Sequence, residues 1–148
     1  MSNEPTAKVG ILLITHDPLG HVLLSTADAI LGHCPLPVQV LTVPLDSDPD
    51  LTAAEARRLA TALDRGAGVL VLTDLYGSTP GNIACRLLEW EQVRVISGVN
   101  LPMLLKVCNY AGLNLDALAE KAATGGRDGI MLCAGKICSP QMNANERK

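Results

Sequence analysis

Residues 68–82 read GVLVLTDLYGSTPGN. The opening six, GVLVLT, are apolar up to a closing threonine and have the length of one strand covered on both faces. Asp74, Gly77 and Ser78 then break the run. Pro80 suits a first helical position, because its missing N–H has no partner there in any case; that makes Thr79 the expected N-cap of a helix from about Pro80 to Glu89. A buried strand that passes through a short polar loop into a helix is one half of a βαβ unit.

The same rhythm extends in both directions. Upstream, Lys8 to Ile14 (KVGILLI) is a second apolar strand, ended by THDP and followed by a helical pattern over Leu19–Leu31 that Gly32 stops. Val38–Val43 gives another strand, and Thr52 with Glu55 forms the T-x-x-E box of a helix reaching about Asp64. Downstream, Gln92–Ser97 is a strand and helices are expected near Leu101–Ala111 and Leu115–Ala123. The apolar stretch Gly129–Cys133 is read as a final strand, and the tail 135–148 as loosely ordered. The expectation is one domain with its core over about 8–134: a three-layer α/β fold with an open, mainly parallel, doubly wound sheet of order about 2-1-3-4.

Composition agrees. The 148 residues are 48% apolar, yet Phe is absent and only Trp90, Tyr76 and Tyr110 are aromatic, so the core is built from Leu, Val, Ile and Ala. A net charge of −3 without a Lys/Arg-rich run argues against nucleic-acid binding, which depends on phosphate neutralisation. The N-terminus lacks a signal-peptide pattern and no apolar run is long enough to span a bilayer, so a cytoplasmic location without direct membrane insertion is expected. Five cysteines (34, 85, 108, 133 and 138) without C-x-x-C spacing are read as separate thiols, with Cys138 the most exposed, and not as a disulfide framework or zinc site.

Ligands of open α/β sheets bind beyond the carboxyl ends of the strands. The residues there are Thr15, His16 and Asp17; Pro44–Asp48; Asp74–Thr79; and Gly98–Asn100. A helix start such as GSTPGN favours phosphate. A nucleotide is a poor fit, since Gly129 and Gly135-Lys136 are one residue too far apart for a P-loop, Ile137 replaces its hydroxyl, and no G-x-G-x-x-G follows the first strand. His16 is the natural acceptor: a neutral imidazole nitrogen is nucleophilic near pH 7, provided the opposite nitrogen keeps its proton. Asp74 supplies a carboxylate to hold that proton if the first and third strands are neighbours, and Ser78 and Thr79 are candidates to receive phosphoryl oxygens. His21 and His33 are read as structural or exposed. Taken singly, each candidate also suits a cap or a solvent-facing position; their convergence on one sheet edge is what singles them out.

These segments resemble the mannose/fructose-family enzyme IIA domains of the bacterial phosphoenolpyruvate-dependent sugar phosphotransferase system. VGILLITH is similar to the family's first strand, ending in its phosphorylated histidine; LTDLYGSTPGNIA to its signature loop; SGVNLPML and TGGRDGIML to two further segments. The resemblance implies that His16 takes a phosphoryl group from the histidine-phosphorylated carrier HPr and passes it to an enzyme IIB. Asp74 would orient His16 and Thr79 would lie beside the phosphate, with no nucleotide, metal or other cofactor. It also implies a homodimer in which the last strand, led in by Gly125-Gly126, is exchanged between subunits. Asp17 departs from the glycine common after the family's histidine, which bears on transfer rate. No IIB domain follows in this sequence, so either IIB is a separate protein or the chain reports phosphorylation state to a regulatory target; the sequence leaves both open.

Three alternatives have distinguishing features. A two-component receiver needs an acidic pair after the first strand and a lysine late in the sheet, whereas Asp17 is alone and Lys136 lies beyond the last apolar stretch. The phosphoryl-donor subunit of dihydroxyacetone kinase shares fold and histidine, but TDLYGSTPGN followed by SGVNLP favours the sugar-transport branch. A non-catalytic regulator would bind partners without being phosphorylated.

Overall fold

Every residue from Gly10 to Thr15 is buried, as expected of a strand flanked by neighbours and covered on both faces. The computed structural model describes residues 7–135. Its elements run β1 (Gly10–His16), α1 (Leu19–Leu31), β2 (Val38–Val43), α2 (Pro49–Leu63), β3 (Val69–Thr73), α3 (Thr79–Arg86) with a 3₁₀ turn (Leu87–Glu89), β4 (Val93–Ser97), α4 (Leu101–Asn109) and α5 (Leu115–Asp128). All strand pairs are parallel, in the order β2-β1-β3-β4. This is the doubly wound α/β sheet expected from the strand rhythm.

Strand alternation divides the core. Ile11, Leu13, Leu70 and Leu72 face α1, α4 and α5, where Ala27, Leu104, Val107 and Leu118 meet them. Leu12, Ile14, Val69 and Val71 face α2 and α3. In α2 the buried stripe is Ala53, Ala56, Ala60 and Leu63, small side chains at helical spacing that let the helix lie close to the sheet.

Several boundaries differ from expectation, each for a local reason. β1 does not end at Ile14: pairing continues through Thr15↔Thr42 and His16↔Val43, which makes His16 the last strand residue. α2 begins at Pro49, because Asp48 is the cap, its Oδ1 accepting from the Asp50 N–H at 2.9 Å; Glu55 pairs with Arg58 instead of closing a box with Thr52. α3 is capped by Ser78, not Thr79, with the Gly81 N–H donating to Ser78 Oγ at 3.3 Å.

The end of the chain departs furthest. α5 runs straight through Gly125-Gly126 to Asp128, so the glycine pair is no flexible lead-in. A Cβ on Gly125 would lie 2.8 Å from Lys106 Cβ, and one on Gly126 2.8 Å from Met103 Cε, so the glycines serve the close approach of α5 to α4. The Asn100 side-chain amide donates to Gly126 O at 3.0 Å and reinforces that approach. No strand forms over 129–133 in the single chain; Ile130 and Leu132 are 77% and 87% exposed. The expectations for Cys138 and for nearly all of the 135–148 tail lie outside the described residues.

The cysteines also differ from the expectation of separate thiols. Cys34, after α1, and Cys108, in α4, form a disulfide between buried residues with Cα atoms 5.1 Å apart, and Cys133 is likewise disulfide-bonded. Cys85 is an exposed free thiol. The Cys34–Cys108 bond closes a loop with a sequence separation of 74. Constraining the unfolded chain over such a loop contributes about 4 kcal/mol in the chain-entropy account. Cys34→Ser/Cys108→Ser should therefore lower the urea midpoint by a matching amount; coincident unfolding curves would show that the bond adds nothing to stability.

Candidate active site at the carboxyl edge of the sheet

β1 and β3 are parallel neighbours, so their ends deliver His16 and Asp74 to the same place. His16 Nδ1 lies 2.8 Å from Asp74 Oδ2, and the His16 backbone N–H donates to the same oxygen at 3.0 Å. Because a carboxylate oxygen only accepts, the ring proton belongs on Nδ1. That leaves Nε2, which has no hydrogen-bond partner among the described residues, with its lone pair available. The His16 side chain is 37% exposed and that of Asp74 only 9%, so the ring is reachable while its partner is shielded.

Burial by itself would raise the Asp74 pKa, but the hydrogen bonds from the His16 ring and backbone, with Asp74's own N–H, outweigh it and hold the carboxyl below its ordinary value.

Thr15 was flagged only by its place after the strand, and the structure gives it a definite part. Its buried hydroxyl accepts from the Gly20 N–H at 2.8 Å and donates to the His16 carbonyl at 3.0 Å, tying the end of β1 to the first turn of α1. A Cβ on Gly20 would stand 2.8 Å from that hydroxyl, so a glycine is required there. The T-H-x-x-x-G spacing is the only trace of this brace in the sequence.

The loop after β3 is organised by Ser78, whose hydroxyl donates to Leu75 O at 2.6 Å while capping α3. Its hydrogen-bonding capacity is largely spent there. Thr79 instead stands exposed at the first position of α3. Asp17 is exposed and makes no hydrogen bond to the His16–Asp74 pair, and the Asp17–Pro18 peptide is cis. His21 and His33 are both exposed. Among the described residues no group of three or more His, Cys, Asp or Glu is placed to hold a metal, and no helix is long and apolar enough to cross a membrane.

The family model described as the PTS system fructose IIA component matches residues 10–123. The chain belongs to this enzyme IIA family. It is accordingly a phosphotransferase-system component of the enzyme IIA type. Among curated proteins, the mannose-specific EIIAB component of Escherichia coli K12 is 32% identical over 131 residues, covering 86% of this chain and 40% of that protein. The chain thus spans well under half the length of the curated relatives it matches.

Among solved structures, the EIIA component from Streptococcus agalactiae superposes with a TM-score of 0.74 at 26% identity, covering 84% of this chain and 96% of that one. The mannose/sorbose-specific IIA subunit from Enterococcus faecalis shares the fold, with a TM-score of 0.76 at 23% identity, over 88% of this chain and 97% of that one.

The site makes two measurable demands on stability. Since the folded Asp74 pKa is depressed, its pair with His16 stabilises the protein above the ordinary carboxylate pKa of about 3.9 and loses that contribution as pH falls through the lower folded value. The melting-temperature difference between the unaltered protein and Asp74→Asn should be largest near neutrality and shrink below about pH 4. A difference that grows on acidification would contradict the depressed pKa. Separately, Ser78→Ala should cost about 1 kcal/mol as a lost cap, whereas Thr79→Ala should leave the melting temperature essentially unchanged.

Proposed function

We propose that His16 accepts a phosphoryl group from the histidine-phosphorylated carrier HPr and passes it to an enzyme IIB domain or protein in the cytoplasm, feeding sugar uptake or a regulatory signal. The observation that carries this reading is the 2.8 Å contact between Nδ1 and Asp74, which leaves Nε2 as the nucleophile. In the transfer the Nε2 lone pair forms the new N–P bond as the N–P bond to the donor imidazole breaks, and the electrons of that bond return to the donor nitrogen. Asp74 keeps the Nδ1 proton in place and offsets positive charge building on the ring. Thr79, with the backbone N–H groups at the start of α3, receives the phosphoryl oxygens. Neither nucleotide nor metal takes part.

A receiver-type reading has less support, because the acid after β3 is engaged by His16 rather than open to become an acyl phosphate. The rim of the site suits a protein donor: Leu19, Leu45, Leu75 and Tyr76, all in segments that follow β1, β2 or β3, are 39%, 98%, 60% and 80% exposed. Exposed apolar side chains grouped at one edge mark a contact surface.

Incubation with phosphoenolpyruvate, enzyme I and HPr should add one phosphoryl mass to the intact chain. His16→Ala should abolish it, and persistence of that mass would remove His16 from the role. Asp74→Asn should slow single-turnover transfer by roughly 10²–10⁴-fold, and Thr79→Ala should slow transfer without lowering stability.

The same reading includes a homodimer. Among the described residues β4 has a strand on only one side, and the apolar segment after α5 is exposed, so a second copy that covers both removes an association hazard. Light scattering coupled to size exclusion should return twice the chain mass. A stable monomer across micromolar concentrations would refute the dimer.

A further inference from the structure

Three buried side-chain atoms among the described residues lack a hydrogen-bond partner: Ser47 Oγ, Thr73 Oγ1 and Asp74 Oδ1. All three stand at the carboxyl edge of the sheet, Ser47 in the segment after β2, Thr73 at the end of β3 and Asp74 directly after it. Buried polar atoms in native proteins are nearly always paired, so such a gathering at one edge calls for a physical reason. Two of the three are neighbours in the chain and chemically complementary. Thr73 offers an O–H donor, and the carboxylate oxygen of Asp74 can only accept.

Strand alternation places Thr73 on the same sheet face as the imidazole. Leu12 and Ile14 of β1 pack toward α2 and α3, as do Val69 and Val71 of β3. Two residues further along each strand, the same face carries His16 and Thr73. Thr73 is paired with Ile14, so His16 is its diagonal neighbour on that face, within reach of an aromatic side chain. Thr73 is only 1% exposed, and a valine would fill its volume without a donor to satisfy, as Val69 and Val71 do earlier on the strand.

We propose that Thr73 is a positioning residue: its hydroxyl is joined to Asp74 Oδ1 through one buried water, and thereby holds the carboxylate that orients His16. With Oδ2 taken by the His16 ring and backbone and Oδ1 by the water that Thr73 holds, the carboxylate is restrained from turning about its Cβ–Cγ bond and exchanging oxygens. Restraint behind a contacting group sets how well that group aligns its partner. The effect on transfer rests on the reading of His16 as phosphoryl acceptor; the effect on the resting ring does not.

The test compares the unaltered protein with Thr73→Val and Thr73→Ser, with Thr73→Ala standing in should the valine variant not fold. Nitrogen NMR of the His16 ring, without any phosphoryl donor, should give a single Nδ1-protonated tautomer for the unaltered and serine proteins and tautomer exchange for valine. Single-turnover transfer from phosphorylated HPr should be about tenfold slower for valine and within about twofold of normal for serine. Valine or alanine variants with unaltered ring signals and unaltered transfer would overturn the proposal. Ring signals that change as expected while no protein, the unaltered one included, takes up phosphate would uphold the positioning role and refute the acceptor reading instead.

Discussion

The hydrogen bonds between His16 and Asp74 depend on the parallel pairing of β1 with β3, which brings the two strand ends together. The two residues are 58 apart in sequence, and a single carboxylate oxygen takes both the ring Nδ1–H and the backbone N–H of His16. The imidazole is thereby registered to the backbone that carries it, and rotation about its side-chain bonds is restrained from two sides. A carboxylate that held only the ring would leave the strand end free to shift beneath it.

Sheet order then arranges the surroundings. With β1 and β3 central, their ends are flanked by the loop after β2 and by the start of α3. Each neighbour is itself pinned by a short polar contact: Asp48 starts α2, Ser78 starts α3, and Thr15 joins β1 to α1. The carboxyl edge is thus made of loops whose hydroxyls and carboxylates are mostly spent on holding backbone in place. Thr79 is a hydroxyl left outside that scaffolding.

The two sheet faces contribute differently. One is packed by α2 and α3 and carries the His16 side chain; the other is packed by α1, α4 and α5 and holds the Cys34–Cys108 bond. Close packing of α4 on α5 uses glycines where larger side chains would collide with Met103 and Lys106. The second face is therefore the braced one, with covalent and close steric restraint on the side away from the His16 ring.

Much of this was legible in the linear chain. Strands buried on both faces leave long apolar runs, so all four are legible to within two residues at either end; the βαβ rhythm implies a parallel sheet, and 2-1-3-4 is an order that doubly wound sheets take. His16 and Asp74 stood out because each follows such a run directly, where an open sheet presents its reactive edge. Helix starts were less legible, since Asp48 and Thr52, or Ser78 and Thr79, offer equivalent caps until the path of the loop selects one. Other features were set only by tertiary structure. The disulfide joins residues with no spacing signal, because the turn after α1 happens to lie on α4. Gly125-Gly126 reads as a hinge in sequence but is a contact surface once α4 is beside it. The IMLC stretch reads as a strand by composition, yet a strand needs a neighbouring strand's backbone, and the described residues place none beside it. Local chemistry specifies what a segment is able to form; which of its options is realised depends on neighbours distant in sequence, because pairing, close approach and covalent linkage are properties of two segments rather than one.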